Sequence, residues 1–158
     1  MAGFVVILMG SKADMDHAQA IAKDLDKLGI ETVMRIGSAH KTPSHVIGLL
    51  QQYEADSRPK VYITIAGRSN ALSAFVDGQV VAPVIACPPY SDRYGGVDVF
   101  SSLRMPGGVA PAVVLDPSGA ALLAAKILGL GDPVIQKHIV ELQQNNRDKI
   151  TTDDAELV

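Results

Sequence analysis

The chain has 158 residues, of which 47% are hydrophobic and 20% charged, with a formal net charge of -3. That length fits one domain over residues 1–158 with one sizeable core, and a mildly acidic balance without a basic run gives no support to a nucleic-acid partner. No stretch approaches the roughly 20 apolar residues of a membrane span.

The N-terminus opens almost at once on a strand, without a basic leader or an apolar run of signal length. Phe4–Met9 (FVVILM) is continuously apolar, as strands covered on both faces are. After Gly10-Ser11 a helix is expected to start at Asp14, with Ala18, Ile21, Ala22 and Leu25 on one face and Gly29 as its stop. Thr32–Ile36 reads as a second strand. Pro43 suits the first turn of a second helix, in which Val46, Leu49, Leu50 and Tyr53 recur at helical spacing. Val61–Ala66 is a third strand, and a short helix follows between Gly67 and Gln79. Pro83–Cys87 and Ala112–Leu115 are the fourth and fifth strands. An alanine-rich helix begins at Ser118, and a last helix runs from about Pro133 to about Lys149. Strands alternating with helices predict an α/β three-layer sandwich around a central, mostly parallel sheet. The alanine-rich helix has little bulk on any face and suits close packing on another helix, and the apolar residues of the last helix (Val134, Ile135, Ile139, Val140, Leu142) can dock on the chain's own sheet or on a neighbour's; an oligomer is expected, with a snug monomer as the alternative. The one cysteine, Cys87, has no partner for an internal disulfide, so a reducing, cytoplasmic setting is expected.

In such a sheet ligands bind outside the carboxyl ends of the strands. Four polar turns fall there: Gly10–Asp14, Ser38–Lys41, Ala66–Asn70 and Pro88–Asp92. The first places glycine and serine before a helix, where free amides and a hydroxyl suit a phosphate. An ordinary helix capped by Asp14 is the competing reading. The turn is neither the dinucleotide fingerprint nor the nucleotide P-loop, whose glycines and lysine it lacks. In the second turn, His40 can give or take a proton near neutral pH. Lys41 beside it can hold a phosphate or a carboxylate. Small Ser38 and Ala39 leave room for a ligand, although a solvated loop histidine is the plainer alternative. The third turn offers donors in Arg68, Ser69 and Asn70, with capping by Ser69 or Asn70 equally open. Gly95-Gly96 allow the segment Tyr90–Asp98 to close over a ligand, and Arg104 in the Ser101–Pro111 stretch can close the pocket or meet another subunit. The histidines 17, 40, 45 and 138 have no metal-ligand spacing, so no metal is expected. His17, His45 and His138 are expected at the surface, and Cys87 as a small buried hydrophobe without a paired histidine.

Taken together, VVILMGSKADMDHA, IGSAHKTP, ITIAGRSNALSAFVDG, VIACPPYSD and VDVFSSLRMPGGVAPAVVLDPSGAALLAAKILGL resemble the phosphoribosylaminoimidazole carboxylase family of purine biosynthesis. They span about Val5 to about Gly131. Class I members of that family are mutases that move a carboxylate from the exocyclic nitrogen to the ring carbon of an aminoimidazole. They carry Ser-Ala-His-Arg and a later glycine-rich run. Here Lys41 follows His40, and AGRSNALSAF occupies Ala66–Phe75. Both departures resemble class II, which uses carbon dioxide directly, and the chain length resembles a stand-alone bacterial enzyme of that class.

The resemblance implies a flavodoxin-like fold, tetramers or octamers with sites at subunit junctions, and the last helix at such a junction. It implies 5-aminoimidazole ribonucleotide and carbon dioxide as substrates, with no metal, biotin or ATP. Gly10 and Ser11 would set the phosphate and Asp14 the ribose. Ser38 would lie beside the aminoimidazole. His40 would move the ring proton, and Lys41 would hold the new carboxylate or the phosphate. Arg68, Ser69 and Asn70 would shape the carbon dioxide pocket, with Gly67 beside them among the substrate-binding residues. The class I mutase and a non-catalytic domain binding a phosphorylated ligand remain the alternatives.

Overall fold

The apolar run near the N-terminus becomes the centre of a sheet. In the computed structural model, which describes residues 2–157, β1 (Phe4–Met9) is buried at every position. It pairs in parallel with β2 (Glu31–Ile36) on one side and β3 (Lys60–Ile65) on the other. Beyond β3 come β4 (Val84–Ala86) and β5 (Ala112–Val113). All pairings are parallel, in the order β2-β1-β3-β4-β5. This is the flavodoxin-like order, whose change of direction lies between β1 and β3.

Successive side chains of a strand face opposite ways, and β1 divides accordingly. Val5, Ile7 and Met9 join Val61, Ile63 and Ile65 under α1 (Met15–Lys27), α4 (Pro117–Gly129) and α5 (Pro133–Ala155). Phe4, Val6 and Leu8 join Tyr62 under α2 (Pro43–Glu54) and α3 (Ala71–Asp77). The result is three layers, with an apolar core on each face of the sheet. Ala120, Ala121, Ala124 and Ala125 are buried, and their short side chains let α4 lie close to α1 and the sheet. Gly29 ends α1 at a φ of 72°, a conformation glycine takes without a Cβ penalty.

Several boundaries differ from the sequence reading. β4 starts after Pro83, which has no N–H to give to a ladder. β5 stops early because Asp116 caps α4, accepting the Gly119 N–H at 3.0 Å. The last helix continues past Lys149 to Ala155. Pairs one turn apart, Gln144 with Asp148 and Lys149 with Asp153, each 2.6 Å, sustain it without a core to pack on. Every residue from Gln144 to Leu157 is exposed. Among the described residues, no helix is long and apolar enough to cross a membrane.

Candidate active site

Parallel strands bring their carboxyl ends to one edge, so the polar turns that follow them meet there. The turns after β1, β2 and β3, with Pro89–Arg93, line one cavity of about 450 Å³. That volume lies in the usual range for small-ligand sites. Gly10, Ser11, Asp14, Ser38, His40, Lys41, Gly67, Arg68 and Ser69 all line it.

The first turn is built by reciprocal capping. Ser11 is extended (φ -159°, ψ 167°) and caps a 3-10 turn, Lys12–Asp14, that leads into α1. Its Oγ accepts the Ala13 N–H at 3.2 Å. Asp14 Oδ2 reaches back to accept the Ser11 N–H at 3.1 Å and the Ser11 hydroxyl at 3.3 Å. Asp14 stands at the N-cap position of α1, as expected, but its side chain makes no capping bond to that helix; it turns back as the third residue of a capping box whose cap is Ser11. The Gly10 N–H donates to Ile65 O at 2.8 Å, so Gly10 offers a ligand space rather than a donor.

The second turn is held by bonds from its own backbone to its hydroxyl side chains. The Ser38 N–H donates to Thr42 Oγ1 at 3.0 Å, and the Lys41 N–H donates to Ser38 Oγ at 3.2 Å. His40 and Lys41 are exposed on this frame, and both line the cavity. Just before it, a Cβ on Gly37 would stand 2.8 Å from Val46 Cγ2, so the approach of β2 to α2 needs glycine there.

The third turn carries Arg68 at a φ of 61°, in the left-handed region. Arg68 and Ser69 are exposed along the cavity. Asn70 differs from the expectation of a direct ligand contact. It is 3% exposed and does not line the cavity. Its Oδ1 accepts the Ser73 N–H to start α3, and its Nδ2 donates to Ser102 Oγ at 2.9 Å. Of the two expected caps for this helix, Asn70 is the one used.

In the fourth segment Tyr90, Ser91, Asp92 and Arg93 reach the cavity, followed by Gly95 and Gly96 at φ 59° and 79°. Arg104 is exposed but does not line it.

Two histidines also depart from the sequence reading. His17 is half-buried, with Nε2 3.3 Å from Cys87 Sγ at the end of β4. Burial lowers its pKa below the ordinary value, against the opposing pull of Cys87, Asp14 and Asp116. The Cys87 thiol is pushed up to about 12 by burial and then by Asp116, so it is a neutral thiol. His138 Nδ1 lies 2.9 Å from Leu28 O and ties α5 to the end of α1. No local signal announces either contact, because the pairs lie far apart in the chain. Among the described residues, no group of three or more His, Cys, Asp or Glu side chains is placed to hold a metal ion.

Comparison with known proteins adds the family. A family model described as AIR carboxylase matches residues 4–149. The chain is 56% identical over 157 residues to a phosphoribosylaminoimidazole carboxylase of Treponema denticola, covering 99% of each chain. It is 52% identical over 152 residues to one of Archaeoglobus fulgidus, covering 96% of this chain and 83% of that one. The crystal structure of Treponema denticola PurE superposes with a TM-score of 0.97, at 56% identity and 98% coverage of both chains. A mouse bifunctional carboxylase/succinocarboxamide synthetase is 41% identical over 131 residues, which make up 31% of its length. With these matches along nearly its whole length, the chain belongs to the AIR carboxylase family.

Proposed function

We infer that this chain is an AIR carboxylase of the class II kind. It joins carbon dioxide to the ring carbon of 5-aminoimidazole ribonucleotide, giving 4-carboxy-5-aminoimidazole ribonucleotide for purine biosynthesis, without ATP. The observation that carries the reading is the convergence of Ser11 and Asp14, Ser38–Lys41, and Gly67–Ser69 on one cavity.

In the proposed chemistry the nucleotide phosphate sits by Gly10 and the Ser11 hydroxyl, and Asp14 takes the ribose hydroxyls. The aminoimidazole lies beside Ser38. Its amino group enriches the ring carbon, which forms a carbon–carbon bond to carbon dioxide. One carbon–oxygen π pair then becomes a carboxylate charge. Lys41, Arg68 and Arg93 are the cations that line the cavity; Lys41 and Arg68 are the two assigned to that charge, and partial exclusion of water strengthens their effect. The ring carbon still carries its hydrogen. His40 removes it as a proton, and the electron pair returns to the ring to restore aromaticity. Asn70 supports this set from behind, through the α3 cap and Ser102.

A single domain over residues 1–158 in a reducing compartment fits this reading. So does a homo-oligomer, a tetramer or an octamer, with α5 at a subunit contact. Val134, Val140 and Ile150 on that helix are 61%, 60% and 69% exposed, as unpartnered apolar side chains would be. Light scattering on the purified protein tests the assembly, and a monomer at micromolar concentration would remove it.

His40→Asn tests the chemistry. Turnover is expected to fall by about 100-fold or more, the range for loss of a general acid–base group, while nucleotide affinity stays near wild type. Unchanged turnover would remove His40 from the mechanism. A protein that binds the nucleotide and turns nothing over, with or without His40, would be a binding domain.

A further inference from the structure

Arg68 is the one non-glycine residue with positive φ among the described residues. Left-handed backbone is unfavourable for a residue with a Cβ, and it persists only where the surroundings enforce it. The 3-10 turn Val97–Ser102 supplies that enforcement. Asp98 Oδ2 accepts the Arg68 N–H at 3.0 Å. It would also lie 3.8 Å from a Cβ on Gly67, so the carboxylate sits close against the turn. Behind it, Ser101 Oγ accepts the Asn70 N–H at 3.0 Å and donates to Asp98 O at 2.8 Å. Asn70 Nδ2 donates to Ser102 Oγ at 2.9 Å, with both residues nearly inaccessible. The Ala66–Asn70 turn is thus gripped at Arg68 and at Asn70 by a segment some thirty residues away.

We propose that Asp98 is a positioning residue that holds Arg68 in its left-handed conformation and so aims the guanidinium at the new carboxylate. This rests on the reading of Arg68 as a wall of the carbon dioxide pocket. Asp98 does not line the main cavity but faces a smaller one beside it. It therefore acts through Arg68 rather than on substrate. Its carboxylate is engaged with the backbone of Arg68, and among the described residues no carboxylate lies within ion-pair distance of the guanidinium. The arrangement fixes the arginine without neutralising it, which is what a developing carboxylate requires.

The test is steady-state carboxylation with carbon dioxide varied, alongside equilibrium binding of aminoimidazole ribonucleotide, on Asp98→Ala, Asp98→Asn, Arg68→Ala and the Asp98→Ala/Arg68→Ala double variant. Loss of a hydrogen bond to a charged acceptor predicts that Asp98→Ala lowers kcat/KM for carbon dioxide about 10-fold or more. Nucleotide affinity should hold within about twofold. Asp98→Asn, whose amide oxygen can still accept the Arg68 N–H, should recover most of the rate. The double variant should be no slower than Arg68→Ala alone, since the two residues act in series. Wild-type carbon dioxide dependence in Asp98→Ala, equal damage in Asp98→Asn, or a multiplied loss in the double variant each overturns the proposal. If Arg68→Ala alone leaves carbon dioxide dependence unchanged, the reading of Arg68 fails, and the proposal falls with it. Asp98→Glu, which keeps the charge but shifts the acceptor by a methylene, replaces Asp98→Ala should that variant not fold.

Discussion

Replacing Ser11 with glycine separates two roles assigned to one hydroxyl. In the structure the hydroxyl caps the turn into α1, through contacts of 3.2 Å to Ala13 N and 3.3 Å to Asp14 Oδ2. Loss of a serine cap to alanine costs about 0.5–2 kcal/mol, but loss to glycine costs only a few tenths. Because Ser11 is exposed, the lower part of that range applies. Ser11→Ala should then melt roughly 1–2 °C below wild type, and Ser11→Gly should melt within about 1 °C of it. A hydroxyl donating to a phosphate is a bond to a charged group, about 1.5–3 kcal/mol. Both variants should therefore bind the nucleotide about 10-fold or more weakly. The assay is calorimetric titration with 5-aminoimidazole ribonucleotide in carbon dioxide-depleted buffer, paired with thermal melts of the same samples. Binding by Ser11→Gly within about twofold of wild type would refute the phosphate assignment. An affinity loss that tracks the melting temperature would leave the hydroxyl with a capping role alone.

Three further outcomes follow from single contacts. Arg68→Gly removes a left-handed penalty of roughly 1–2 kcal/mol, offset by about 0.5–1 kcal/mol of glycine entropy; it should melt about 2 °C higher while carboxylating poorly, and a lower melting temperature would contradict the strain at φ 61°. His17 has a folded pKa below its ordinary 6.5, so its contribution is fully present above that pH and is lost as pH falls through the lower folded value. Melts of His17→Gln should accordingly depend less on pH below about 6.5 than those of wild type, and an unchanged profile would dismiss His17 as a source of acid sensitivity. Gly3→Ala would place a Cβ 2.7 Å from Leu128 Cδ2 and 2.9 Å from Pro59 O, a backbone atom that cannot swing aside. It should cost about 1–3 kcal/mol yet leave kcat/KM unchanged below the melting transition, because it lies at the amino end of β1, away from the cavity; lost activity in a stable Gly3→Ala would show that the two ends are coupled.

The layers were legible because burial leaves a periodic trace. Phe4–Met9 is apolar throughout since both of its faces are covered, and α1 and α2 bury the residues expected from their helical spacing, except that Ala22 is only partly buried. The site was legible because parallel strands leave their polar turns no other edge to occupy. What escaped the sequence was held by contacts without local pattern. The 3-10 turn at Lys12–Asp14 put the capping side chain on Ser11 and drew the Asp14 carboxylate back onto it. The tail of α5 carries Ile150 as its one large apolar residue, so no apolar stripe marked its end. The contact of His17 with Cys87 and the grip of Asp98 on Arg68 join residues 70 and 30 positions apart, distances that only the folded sheet closes.

The most direct test of the account is product formation followed by ultraviolet absorbance, without ATP, in two parallel reactions. One receives 5-aminoimidazole ribonucleotide and carbon dioxide. The other receives the nitrogen-carboxylated isomer with no added carbon dioxide, corrected for its spontaneous decomposition. Rapid formation of the carbon-carboxylated nucleotide in the first alone is the predicted result. Rapid formation in the second alone would make the protein a mutase and contradict direct carboxylation at Lys41 and Arg68.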